Sequence, residues 1–193
     1  MARYLSTPSD EATLMGLLIA TWFLVVVTIC AIVYQVRETT RTRNAAALST
    51  SRDFWESDRM RSRRRRLASA LLEGMTVETI PAAAIEDVLN FFEDLATAYR
   101  EKYLSLYSVY SMFHDDSVHY WFAIGSAYAR EWRNDPEVSQ EYRDFESMVQ
   151  QLQRMERQKT GSAAEPDTED LRKFLEVESQ LDQPILLKSG KSV

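Results

Sequence analysis

Apolar positions follow two different patterns along this chain. From Ala12 to Val36, 25 residues pass without a single charge, whereas from Pro81 onward apolar residues recur every three or four positions with acids between them. The first pattern has no polar face at all. A hydrocarbon layer ~30 Å thick needs about 20 apolar helical residues at ~1.5 Å each, so residues 12–36 predict a transmembrane helix. The run is longer than the ~7–15 apolar residues of a signal peptide and closes on no small-x-small cleavage site, which makes it an uncleaved anchor. Arg37, Arg41 and Arg43 follow the span and Asp10 and Glu11 precede it. Short basic flanks stay inside, so residues 1–11 are expected outside the cell and the bulk of the chain in the cytoplasm, at the inner (cytoplasmic) membrane.

No Gly or Pro interrupts Leu17 to Glu73, and Arg37–Glu73 is rich in helix formers, so residues 37–74 predict a proximal basic helix. A break is expected near Thr39–Thr42, where two threonine pairs lower the propensity, and Gly74 is the expected stop. Thr79-Ile80-Pro81 then opens a second region, with proline at the first helical position. Ile85, Val88, Leu89, Phe92, Leu95, Ala96, Tyr99 and Tyr103 form an amphipathic stripe. Leu104, Tyr107, Tyr110 and Phe113 continue it to Asp115-Asp116-Ser117, where an aspartate is expected to cap the next helix. That helix presents Trp121, Ile124, Gly125, Tyr128 and Trp132 on one face. Asp135-Pro136 predicts another helix start, with Tyr142, Phe145, Val149 and Leu152 as its stripe. Residues 81–158 therefore read as a helical bundle. Residues 159–193 read as a flexible linker, Thr160 to Pro166, and a short helix carrying Leu171, Phe174, Leu175 and Leu181. No strand-like alternation occurs. The fold class is all-α, one N-terminal transmembrane helix followed by a small cytoplasmic helical bundle.

Charge divides the chain. Residues 1–66 carry a net +5 and residues 67–193 a net −11. An acidic distal region is repelled by phosphate backbones and anionic headgroups, which disfavours nucleic acid as a partner and leaves such contacts to the proximal arginines. Arg59, Arg61, Arg63, Arg64, Arg65 and Arg66 are the densest run. They are candidates for contact with anionic lipid or a partner, or for pairing within the domain with Glu86, Asp87, Glu93 and Asp94. Spread over nearly consecutive positions, they encircle a helix, so some must face water. In the span, Ala12, Gly16 and Ala20 stand four apart, the small-residue spacing that lets membrane helices self-associate.

Catalytic chemistry finds little support. Cys30 is the only cysteine and lies in the span; the two histidines, His114 and His119, diverge by about 140° on a helix. Asp116 and His119 share a face but offer two ligands where a zinc or iron site needs three or more. No glycine-rich phosphate loop or nucleophile elbow is present. The chain reads as a non-enzyme with no cofactor, no metal site and no small-molecule substrate. Its aromatic set, from Phe91 to Trp132, is too large to bury completely, and a leftover exposed patch marks a partner surface.

Asn90-Phe91-Phe92-Glu93, followed by Asp116 with Tyr120-Trp121, Trp132-Arg133 and Phe145-Glu146, resembles an uncharacterised bacterial family of membrane-anchored helical domains marked by an NFFE-like motif. The likeness covers residues 45–155. It implies the architecture above and supplies no catalytic residue. The expected function is a single-pass, membrane-tethered protein-interaction or assembly module, whose partners are membrane lipid and a protein partner or a second copy of itself. The alternative is a membrane-perturbing effector that acts through self-association of its transmembrane helix.

Overall fold

Every regular element is helical in the computed structural model, which describes residues 8–132, 141–161 and 165–181. The chain divides into two compact units at Arg43/Asn44. In the first, helix α1 (Pro8–Trp55) presents every side chain from Met15 to Arg43 to solvent. Its best 18-residue window has a mean hydropathy of 2.7, long and apolar enough to cross a bilayer. Thr21 and Thr28 donate their hydroxyls to Leu17 O and Leu24 O, each at 2.8 Å, so the polar groups of this stretch are satisfied within the helix itself.

The break expected at Thr39–Thr42 does not occur. Thr40 and Thr42 donate to Val36 O and Glu38 O, at 2.8 and 3.0 Å, and a threonine bonded back to its own helix no longer competes with it. The interruption comes at Glu56-Ser57 instead, where Ser57 caps α2 (Asp58–Leu72) by accepting from Met60 N. Helix α2 ends where expected: Gly74 takes φ +80°, and Gly74 N and Met75 N donate to Leu71 O and Ala70 O.

The second unit packs the end of α1 with α2, α3 (Ala82–Arg100), α4 (Leu106–Tyr120), a π-helical turn (Trp121–Gly125), α5 (Ser126–Trp132), α6 (Arg143–Thr160) and α7 (Thr168–Glu178). Its core takes in Trp55, Met60 and Leu67 from α1 and α2 as well as the expected stripes of 81–158. The stripe predicted to run through residue 103 into 113 spans two helices. Lys102 adopts φ +63°, Tyr103 N and Leu104 N both donate to Ala98 O, and Ser105 caps α4. Leu104 is buried in that turn, which is why the apolar period survives the break.

Asp115 and Asp116 cap nothing: both lie inside α4, which runs unbroken to Tyr120. The carboxylate of Asp116 is engaged by a different element, as described below. The predicted cap and helix start at Asp135-Pro136 lie outside the described residues, as does the C-terminal stretch from residue 182. Tyr142, at φ +59°, precedes α6, and Phe145, Val149 and Leu152 are buried as the stripe requires.

Candidate functional site

The NFFE segment is a structural stitch between helices. Asn90 Oδ1 accepts from the Tyr142 hydroxyl at 3.0 Å, and Glu93 Oε2 accepts from Phe145 N at 2.8 Å, capping α6 from α3. Phe91 stacks on Trp55, with ring centroids 4.6 Å apart, and Phe92 stacks on Phe145 at 4.9 Å. Burial holds the Glu93 carboxyl above the usual range even though two backbone N–H groups of α6 favour its charge.

A second polar cluster lies deeper and draws on four helices. Arg64, on α2, is 4 % exposed; its Nε and Nη2 meet the two oxygens of Glu178 on α7 at 2.7 and 2.6 Å. Its Nη1 donates to Trp55 O at 3.2 Å, and the guanidinium lies 4.1 Å from the centre of the Trp55 ring. Tyr120, on α4, donates its hydroxyl to Glu178 Oε2 at 2.5 Å. The Trp55 indole N–H turns the other way and donates to Asp116 Oδ2 at 3.0 Å. The fork of one arginine against one carboxylate, with a tyrosine completing the acceptor's shell, is the geometry in which a desolvated ion pair is best compensated.

Electrostatics follow from this packing. Burial disfavours the Arg64 charge, but its bonds to Glu178 and that group's charge more than offset it, so the guanidinium is held above its ordinary value. Burial pushes the Tyr120 hydroxyl well above the usual phenol range, and the negative Glu178 pushes the same way, so Tyr120 stays a donor. Asp116 is pushed up to about 6, chiefly by burial, with Arg64 opposing and Glu178 adding to the shift.

Around this cluster α7 seats two more side chains. Phe174 stacks on His119 at 4.7 Å and meets Tyr120 edge-on at 5.1 Å, while Leu175 is buried. The opposite face of α7 is polar apart from Val177, which is exposed. Arg61 donates to the carbonyl of Leu181 just past the helix.

The six candidate arginines therefore divide. Arg64 is buried in the pair with Glu178. Arg63 reaches Asp87 at 2.7 Å, Arg61 reaches Glu56 at 3.3 Å, and Arg59 and Arg66 are exposed. Ala12, Gly16 and Ala20 all lie in α1; Gly16 has open space where a side chain would stand, and Ala20 is exposed. His114 and His119 do not converge: His114 Nδ1 lies 2.8 Å from Asp115 Oδ1, and His119 Nδ1 lies 2.7 Å from Asp115 O. No group of three metal-ligand side chains forms among the described residues. Of the aromatic set, Tyr103 and Tyr107 remain 59 % and 66 % exposed.

Sequence reasoning missed Glu178, though a signal was there. Leu171, Phe174, Leu175 and Glu178 fall at i, i+3, i+4 and i+7, which places an acid in the inward stripe of the last helix. An acid in that position demands a buried cation, and Arg64 supplies it.

Together these features define an all-helical protein with one candidate membrane-spanning helix and a bundle whose last helix is held by a buried ion pair. The chain belongs to the DUF4760 family, a domain of unknown function, matched over residues 15–159. The matched region takes in the apolar stretch and the bundle through α6, and it stops short of α7. No curated protein and no solved structure matches the chain.

Proposed function

We propose that this chain is a single-pass membrane protein whose helical bundle serves, on the cytoplasmic side, as a protein-interaction or assembly module. One observation carries the reading. The exposed, charge-free stretch of α1 continues without a break into Trp55, which is 2 % exposed in the bundle core, so a segment suited to lipid is built into the folded domain itself. Leu17 to Val36 would bury their side chains in hydrocarbon, and the arginines at 37, 41 and 43 favour an inside-facing C-terminal flank. Likeness to the NFFE-marked bacterial family points to the inner membrane of a bacterium.

An interaction role is supported by what the surface retains. Tyr103 and Tyr107 are large, exposed aromatics, and Arg59 and Arg66 are exposed beside the membrane-proximal end of the bundle's sequence. Tyr and Arg side chains are those that most often dominate protein contacts.

Alkaline extraction of membranes from cells making the full chain tests the anchor: the protein stays in the pellet, and recovery in the soluble fraction overturns the proposal. A reporter fused after Val193 reads the orientation, with cytoplasmic activity expected. Chemical cross-linking in those membranes tests the interaction role, which falls if only monomer without any partner is found.

A further inference from the structure

Helix α7 is held to the bundle in an unusual way for a terminal helix. It is eleven residues long, and only Leu175 and Glu178 are buried. An isolated helix of that length has marginal stability in water, so its order derives from its seat. That seat is lined by Trp55, Arg64, His119 and Tyr120, and it recognises three groups in a fixed order: the Phe174 ring, the Leu175 side chain and, one turn on, the Glu178 carboxylate. The order Phe-Leu-x-x-Glu occurs once in the chain. Every copy of the protein thus carries one seat and one helix that fits it.

Nothing in these contacts depends on which chain supplies the helix. Residues 161–167 join α6 to α7 and begin with Gly161 at φ +76°. Seven residues reach at most about 24 Å when extended, more than the ~16 Å length of α7 itself. Exchange of an identical element keeps every contact and is a low-cost route to dimers.

We propose that α7 is an exchangeable helix: the seat formed by the end of α1, α2 and α4 receives α7 from a second copy of this chain, and this exchange joins the copies. The inference rests on the assembly reading above and names its surface. Membrane anchoring favours it, because copies confined to one plane present the free helix at a raised effective concentration.

The test uses two full-length chains, each with Cys30→Ser, one with Arg61→Cys and the other with Leu181→Cys, since Arg61 contacts the Leu181 carbonyl across the seat. They are produced together, and their membranes are treated with a short bismaleimide. A cross-linked product containing both chains is expected, and adding Glu178→Gln to the Leu181→Cys chain reduces its yield about tenfold or more, because the buried arginine then lacks its carboxylate. A single chain carrying both cysteines reports that the seat is intact. If that chain closes on itself while the two-chain product is absent, exchange is overturned. If neither product forms, the seat itself is refuted. Copy number, measured on the wild-type protein by native mass spectrometry in detergent, keeps the readings apart: oligomers without the two-chain product refute exchange and leave the assembly reading standing.

Discussion

Arg64 and Glu178 form the pair on which the deepest part of this molecule turns. Removing one partner strands a buried charge. Arg64→Met is expected to destabilise the domain by about 3–5 kcal/mol, read as a lower midpoint in chemical denaturation. The triple variant Arg64→Met, Tyr120→Phe, Glu178→Leu should recover most of that loss, because no polar group of the cluster is then left without a partner. Equal destabilisation in the single and triple variants would contradict the pairing. Asp116 gives the same cluster a pH dependence. Its carboxyl is raised from 3.8 to about 6, and it is faced by Arg64, Glu178, Asp115 and the Trp55 indole. The native state therefore holds this proton more tightly than the unfolded chain. The resulting stability is fully present below pH 3.8 and is lost as pH rises through 6, a change of about 3 kcal/mol at ~1.36 kcal/mol per pKa unit. Other carboxylates shift in both directions, so the measurement is the difference between wild type and Asp116→Asn from pH 4 to 7. A constant difference would show that Asp116 titrates normally.

Between elements, the NFFE motif sets the packing of α3 on α6. Phe92 is fully buried among Trp55, Tyr120 and Phe145, and Phe92→Ala is expected to cost about 3–5 kcal/mol. Glu93→Ala removes an acceptor at the start of α6 and costs about 1 kcal/mol, with the loss appearing first as faster amide exchange at Phe145. The sequence made these helices legible because their stripes are local: Ile85 through Ala96 repeat within one element. Gly74 and Pro81 were legible for the same reason, each acting on its own backbone. The placement of breaks was harder. Thr39–Thr42 stays helical because its hydroxyls return to the preceding turn, and Asp116 is not a cap because its partner, Trp55, lies 61 residues away. The pair of Arg64 with Glu178 spans 114 residues, a separation at which periodicity carries no information about who meets whom.

For the whole molecule, the two-unit division predicts independence. The bundle has its own core of more than twenty buried side chains, none from before Trp55. A chain starting at Asn44 is expected to be soluble, helical by circular dichroism and cooperative on heating; aggregation or a broad, non-cooperative melt would show that the bundle needs the apolar helix. The arginine run, by contrast, was only partly readable as a set. Its residues are adjacent in sequence but meet four different fates, from a buried fork at Arg64 to open solvent at Arg59 and Arg66. Local charge density announces that cations must be placed; the fold decides where.

The π-helical turn at Trp121–Gly125 carries an implication of its own. Such a turn holds one residue more than an α-helical turn, so it acts as a phase shift between α4 and α5. Deleting a single residue there would let the two helices merge into one regular rod, an outcome that backbone hydrogen bonding alone would welcome. The same deletion would rotate everything downstream by about 100°. Tyr128, which donates to Glu86 at 2.8 Å and packs edge-on against Tyr142, would swing out of both contacts, and the fully buried Ala129 would lose its place. The irregularity is thus what keeps α5 in phase with the rest of the bundle, and a straighter helix would make a worse protein.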